Sequence, residues 1–319
     1  MVTVHKKFYI IASVLIVAAF FTGKNLSGQN VISSNQETRQ SGYQYISPLL
    51  SCDNLYDPPD PKLGLLKKSV EKLLDSQKND VEVSVFFRHL NNGPVFGINE
   101  HIRYSPASLL KVPIMIALFK QADLDGPSYL EQKILVKNLP ITAIPETPSL
   151  SAIKINTEFS VMELIERMIK NSDNQSAAIL KEFLGHENLL KTYSDLGVDL
   201  PTGSSEDPIS TKTYSSLFRI LYNSSYLSRK YSELALTILS QTTYSSGLTA
   251  NIPNTTLVSH KFGERSDSFT NQLHDCGIVY IPGNPYLLCI MTKGNNKEDL
   301  TKIIAKISHV VFQAIAKEN

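Results

Sequence analysis

Tryptophan is absent from the 319 residues, and cysteine occurs only three times. Three cysteines cannot close a disulfide framework, which excludes the small stapled scaffolds of secreted miniproteins. Neither sign of charge dominates: 31 Lys+Arg stand against 30 Asp+Glu, a formal net charge of +1. A nucleic-acid binder would carry a basic excess gathered on one face, so no nucleic-acid partner is expected. Fifteen Gly and sixteen Pro fit neither a collagen-like nor a broadly disordered chain. There is no internal repeat, no H-E-x-x-H, no cysteine pair at ligand spacing and no phosphate loop, so neither a metal nor any other cofactor is expected. A G-x-S-x-G elbow is missing too, which argues against hydrolases built on that turn. What is present is length enough for a substantial buried core and 42% apolar residues.

The N-terminus departs from this soluble pattern. Lys6 and Lys7 precede an apolar run from Phe8 to Phe21, ended by Thr22, Gly23 and Lys24. A basic segment followed by a run of this length reads as a secretory signal. Phe20 and Phe21 occupy the small-residue positions of a cleavage site, so an uncleaved membrane anchor is the alternative for residues 1–23. Either way the remainder is expected outside the cytoplasm, periplasmic or secreted. Residues 24–61, rich in Ser, Asn, Gln and Pro and ending in Asp57-Pro-Pro-Asp-Pro61, read as a linker or extended arm. Within it, the stretch from Tyr45 to Leu50 is too apolar to stay solvated and is expected to lie along the domain surface.

From residue 62 to 319 the pattern is regular. Leu63, Leu66, Val70, Leu73 and Leu74 repeat at helical spacing; Val81, Val83, Val85 and Phe87 alternate as a strand, with a second strand near Val95 to Ile98. Residues 107–122 are apolar almost all round, as in a helix buried mid-domain. Ser160 with Glu163 forms a capping-box signature. Further helical patterns cover 175–184, 187–195, 211–222 and 227–240. Strand signals return at Leu257 to Lys261 and Gly277 to Thr292, and an amphipathic helix carrying Leu300, Ile303, Ile304, Ile307 and Val311 ends the chain. This is an α+β arrangement: one antiparallel sheet formed by the first and last segments (62–122 and 226–319) and flanked by helices, with an all-α subdomain at about 123–225.

Three short motifs follow one another in this domain. Ser108-Leu-Leu-Lys111 opens the buried helix; with Ser105 as N-cap and Pro106 as first helical residue, Ser108 falls in the first turn, where free N–H groups and the helix dipole favour negative charge on its oxygen. The i, i+3 spacing sets Lys111 on the same face, and a buried amine gives up part of its preference for the charged form and can accept the hydroxyl proton. Pro113 is expected to distort the helix one turn on. Ser172-Asp-Asn174 lies between two helices; a hydroxyl there can relay a proton to a leaving nitrogen and an amide can bind a carbonyl, while a plain helix cap is the alternative. Lys261-Phe-Gly263 ends a strand; the lysine suits a substrate carboxylate and the glycine lets substrate lie against the strand edge, although edge lysines also serve to block aggregation.

The ordered trio resembles the penicillin-recognising serine hydrolases, and most closely the class A β-lactamases, whose signature is S-x-x-K, S-D-N and K-T-G. The resemblance covers roughly residues 62–317. It implies a β-lactamase/transpeptidase-like fold and an active-site-serine amidohydrolase working on a β-lactam or a cell-wall peptide, as a monomer. By motif it implies that Ser108 is the acylated nucleophile, Lys111 its activating partner and Ser172 the proton relay. It implies that Asn174, Lys261 and Gly263 bind substrate, and that the backbone N–H groups of Ser108 and Glu264 form the oxyanion hole.

Two departures bear on function. The family places a deacylating Glu in an E-x-x-x-N loop after S-D-N, and residues 198–210 contain Glu206 but no such motif. Glu206-Asp207 reads as the acidic lead-in to the next helix, and without that base the acyl-enzyme would persist, as in a penicillin-binding D,D-peptidase. Phe262 stands where the family has a hydroxyl, which removes one hydrogen bond to a carboxylate; Arg265 is the candidate to compensate. A non-catalytic surface binding module is the reading from another class, and the five motif side chains count against it. Cys276 and Cys289 flank the turn at Pro282–Pro285 and can face each other; a disulfide is permitted outside the cytoplasm, but buried thiols are the preferred expectation. His260 and His274, near the same site, are expected to be structural.

Overall fold

A computed structural model describes residues 37–52, 61–76, 81–91, 93–138, 152–197 and 208–317. The segment expected to direct export, Glu206 and Asp207 therefore lie outside the described residues. Among those described, no helix is long and apolar enough to cross a membrane.

The chain runs β1 (Glu37–Arg39), β2 (Leu49–Cys52), α1 (Pro61–Asp75), β3 (Val81–His89), β4 (Val95–Ile98), β5 (Arg103–Tyr104), a 3₁₀ turn (Ala107–Leu110) and α2 (Lys111–Asp125). Next come α3 (Ser128–Glu131), β6 (Lys133–Leu135), β7 (Glu158–Ser160), α4 (Val161–Lys170), α5 (Asn174–Leu184), α6 (His186–Asp195) and β8 (Ile209–Ser210). The remainder is α7 (Thr211–Asn223), α8 (Arg229–Leu239), β9 (Leu257–Ser266), β10 (Asn271–Tyr280), β11 (Tyr286–Gly294) and α9 (Lys297–Ala316).

Five antiparallel strands form the main sheet in the order β4-β3-β11-β10-β9, so the N-terminal hairpin pairs with the C-terminal meander as the α+β pattern requires. Strand alternation sends the two sets of β11 side chains to different cores. Leu287, Cys289 and Met291 pack with the helical layer of α2, α4, α5, α7 and α8. Leu288 and Ile290 pack with α1 and α9 on the other face. Helix α2 sits in the middle of the helical layer, and Val112 and Ile114 through Phe119 are all buried. The capping box of α4 is complete: Ser160 Oγ accepts from Glu163 N–H, and the Glu163 carboxylate accepts from Ser160 N–H. Pro113 falls in the first turn of α2, where its missing N–H costs nothing, and the helix continues to Asp125 without the expected distortion.

Cys276 and Cys289 are bonded. They stand directly opposite in the β10–β11 register and are fully buried, so the thiol expectation is corrected. The symmetric placement of both about one tight turn is what brings the sulfurs together.

The arm is docked as its apolar content requires. Tyr45 and Ile46 are buried, and the Glu233 carboxylate of α8 accepts from the backbone N–H groups of Gln44, Tyr45 and Ile46 at 2.9–3.1 Å. Tyr280 donates its hydroxyl to Tyr45 O (3.1 Å), and Arg39 reaches Ser47 O (2.7 Å) and Asn223 Oδ1 (3.1 Å). The arm thereby ties α7 and α8 of the helical layer to β10 of the sheet.

Candidate active site

Ser108 occupies the 3₁₀ turn that leads into α2, with Ala107 before it at φ +47°, a left-handed conformation that side chains rarely adopt. Such strain persists only where surrounding structure imposes it, and it concentrates at functional positions. The expected N-cap at Ser105 is corrected: no side chain caps this turn, whose N-cap position is Pro106. Ser105 is instead drawn to the sheet. Its N–H donates to Gln272 Oε1 (3.0 Å), its carbonyl accepts from His274 Nε2 (3.0 Å), and its hydroxyl accepts from Arg265 (3.3 Å). Arg265, expected to help with a carboxylate, thus braces the segment leading to Ser108.

From α7, the Tyr214 hydroxyl holds Leu109 O at 3.0 Å. Gly263 lies against the same turn, and a Cβ there would stand 2.9 Å from both Leu109 Cγ and Pro106 O. Its missing side chain is what lets the serine turn close on β9.

Ser172 is also left-handed, at φ +57° between α4 and α5. The helix-cap alternative is true of Asp173 alone, whose carboxylate accepts from Gln175 N–H (3.1 Å), Ser176 Oγ (2.6 Å) and Arg167 Nε (3.1 Å). With Asp173 anchored, its neighbours face Lys111. Lys111, 4% exposed, holds its Nζ within hydrogen-bond distance of four oxygens, one more than an ammonium has hydrogens: Ser108 Oγ (2.7 Å), Ser172 O (2.6 Å), Ser172 Oγ (3.1 Å) and Asn174 Oδ1 (2.5 Å).

Lys261 completes the group. The strand extends beyond the expected end, so K-F-G lies within β9, the sheet's edge strand. Lys261 is fully buried and donates from Nζ to Ser172 Oγ (2.9 Å) and Phe262 O (2.8 Å). One hydroxyl, Ser172, therefore joins both amines. The Glu264 carboxylate, two residues on from Phe262, pairs with Lys297 at the start of α9.

Both histidines are buried and have partners within the protein. His274 accepts from Thr292 N–H through Nδ1 (3.3 Å) while Nε2 donates to Ser105 O, an arrangement that requires the neutral ring. Burial pulls its pKa down to about 4. The unfolded ring protonates near 6.5, so between about pH 6.5 and 4 the unfolded state takes up a proton that the native state refuses. Stability is therefore expected to fall with pH across that window, by up to about 3 kcal/mol, and to lose nothing more from this group below it. His274→Gln should flatten the dependence of melting temperature on pH between 6.5 and 4; an unchanged slope would contradict this assignment.

His260 donates from Nδ1 to Asp275 Oδ1 (2.8 Å), and Asp275 Oδ2 accepts from Leu248 N–H (2.8 Å), all within the protein interior. Asp275 was not singled out from sequence, although a carboxylate inside the apolar run Leu273–Val279 is a signal of a paired buried charge. Tyr244, stacked on Phe262 with ring centroids 4.1 Å apart, was missed as well; it lies in a loop without periodicity.

A sheet backed by helices, with a serine in a strained turn and a Ser–Lys–Ser–Lys cluster between layers, defines the class A β-lactamase-like serine hydrolase fold. The chain belongs to the beta-lactamase enzyme family, whose model matches residues 65–315. It is 22% identical over 271 residues to the β-lactamase VEB-1 of Pseudomonas aeruginosa, covering 77% of this chain and 89% of that protein. Among solved structures it superposes on PBP-A (TM-score 0.70, 23% identity, 82% of this chain and 99% of that one). The TLA-3 extended-spectrum β-lactamase fits similarly (TM-score 0.70, 23% identity, 79% and 99%). A mutant of PBP-A has been captured as an acyl-enzyme complex with penicillin G.

Proposed function

We propose that this chain is an exported active-site-serine hydrolase that opens the β-lactam amide through an acyl-Ser108 intermediate. The observation carrying this reading is the single Lys111 Nζ held 2.7 Å from Ser108 Oγ and 3.1 Å from Ser172 Oγ. With the amine neutral, the Ser108 hydroxyl gives its proton to Lys111 as Oγ bonds to the substrate carbonyl carbon. The tetrahedral oxyanion is stabilised by the N–H groups of Ser108 and Glu264. The proton then passes from Lys111 through Ser172 to the leaving nitrogen as the C–N bond breaks. Lys261 fixes the relay hydroxyl, and the Nδ2 hydrogens of Asn174 are donors suited to a substrate carbonyl. Water finally cleaves the acyl ester. Lys6, Lys7 and the apolar run after them support export. The Cys276–Cys289 bond suits an oxidising compartment.

A second reading, a D,D-peptidase-like protein with slow deacylation, is favoured by the lack of E-x-x-x-N in residues 198–210. Mixing the full chain with a chromogenic cephalosporin and a fluorescent penicillin separates the two: rapid turnover supports the first, stable labelling without turnover the second. Neither signal would leave only a binding module. Gly263→Ala tests the serine turn. Displacing it is expected to slow acylation by about 100-fold, the cost of an ångström-scale misplacement. An acylation rate within threefold of wild type would show that the turn tolerates the methyl group.

A further inference from the structure

Strand pleating should send Lys261 and Phe262 to opposite faces of β9, yet the Lys261 ammonium lies 4.1 Å from the Phe262 ring centroid. The amine folds back under the ring, onto Phe262 O and Ser172 Oγ, and keeps no exposed surface. Tyr244 stacks on the ring at 4.1 Å, nearly parallel to it with 20° between the planes. A cation at this distance from an aromatic face is held by the ring quadrupole and is already desolvated. Two further cations near the serine turn are also engaged, Arg265 on Ser105 and Lys297 on Glu264.

The ammonium is thus covered by the Phe262 ring, and that ring is in turn held against Tyr244. Left in place, the two rings present an apolar wall where an anion would otherwise sit, and burying a carboxylate against such a wall without a partner is unfavourable.

We infer that Phe262, stacked on Tyr244, closes the anion subsite over Lys261, so that this chain takes amides or esters whose leaving-side substituent is neutral and apolar. The inference rests on the proposal that Ser108 is acylated. It makes Phe262 the residue that sets substrate charge preference, and Lys261 a group that serves Ser172 and not the substrate.

The test compares penicillin G with its methyl ester on the full chain, following the acyl adduct on Ser108 by intact mass. Wild type should acylate with the ester at least as fast as with the free acid. Phe262→Thr should raise the free-acid rate by about tenfold or more, the scale of one hydrogen bond to a charged group, with the ester rate little changed. Tyr244→Ala should shift the ratio in the same direction, and Phe262→Tyr should behave as wild type. A wild-type preference for the free acid of tenfold or more overturns the inference without recourse to any variant. So does an unchanged ratio in a folded Phe262→Thr protein. A neutral fluorophosphonate separates the two levels of failure. If it labels wild type but not Ser108→Ala and the ratios are as just described for overturning, only the closed subsite is wrong. If it labels neither, the hydrolase proposal falls and this inference with it.

Discussion

Substituting Ser108 by alanine is expected to lower covalent capture of a fluorescent penicillin by roughly 10⁴-fold or more, since removing a nucleophile typically forfeits nearly all of the covalent route. The effect should be large because the cluster offers no substitute. Lys111 Nζ is committed to oxygens of Ser108, Ser172 and Asn174, and Ser172 Oγ is shared between two amines. Residues acting as one unit are strongly non-additive. A Ser108→Ala/Lys111→Ala double variant should therefore label no more weakly than Ser108→Ala alone, and Ser108→Ala should retain a wild-type melting temperature to within a few degrees. Labelling of Ser108→Ala within tenfold of wild type would place the nucleophile elsewhere.

The largest expected loss of stability comes from Asp275→Ala. Its carboxylate is fully buried and accepts from the His260 ring and from Leu248 N–H. Removing one partner of a buried pair leaves the other unsatisfied, a cost of about 3–5 kcal/mol. For a domain of this size that corresponds to a fall in melting temperature on the order of 10 °C. The same carboxylate requires glycine at 247, where a Cβ would lie 2.2 Å from Asp275 Oδ2. Asp275→Asn keeps one acceptor oxygen and should cost less. Scanning calorimetry decides the matter: a drop below about 2 °C for the alanine variant would mean that the pair contributes little.

Much of the fold and of the site was legible in the sequence because the relevant signals are local. Alternation in β3, the capping box of α4 and the apolar surround of α2 each depend on neighbours within a few residues. The i, i+3 spacing of Ser108 and Lys111 likewise carries its own geometry, and Ser172 with Asn174 flanks a residue that caps a helix whatever else occurs. The features that escaped depend on what stands across a strand or a cleft. The left-handed Ala107 follows from a turn squeezed between Gly263, Tyr214 and the tethered Ser105. The pairing of His260 with Asp275 needs the β9–β10 register, and the Tyr244–Phe262 stack needs a loop to meet an edge strand. The disulfide was readable as a possibility from its symmetry about the turn, but the preference for free thiols gave no weight to register.

The position of β3 between β4 and β11 constrains the order in which this molecule can fold. Val85 pairs with Ile290 and Phe87 with Leu288, partners roughly two hundred residues apart in the chain, and Tyr45 waits for Tyr280 in the same way. Closing such long loops precedes any gain from the contacts, so sheet assembly is expected to be slow and late compared with formation of the local helices. Until β11 docks, β3 has only the four-residue β4 beside it, so the unfinished sheet leaves one edge of β3 open through most of folding.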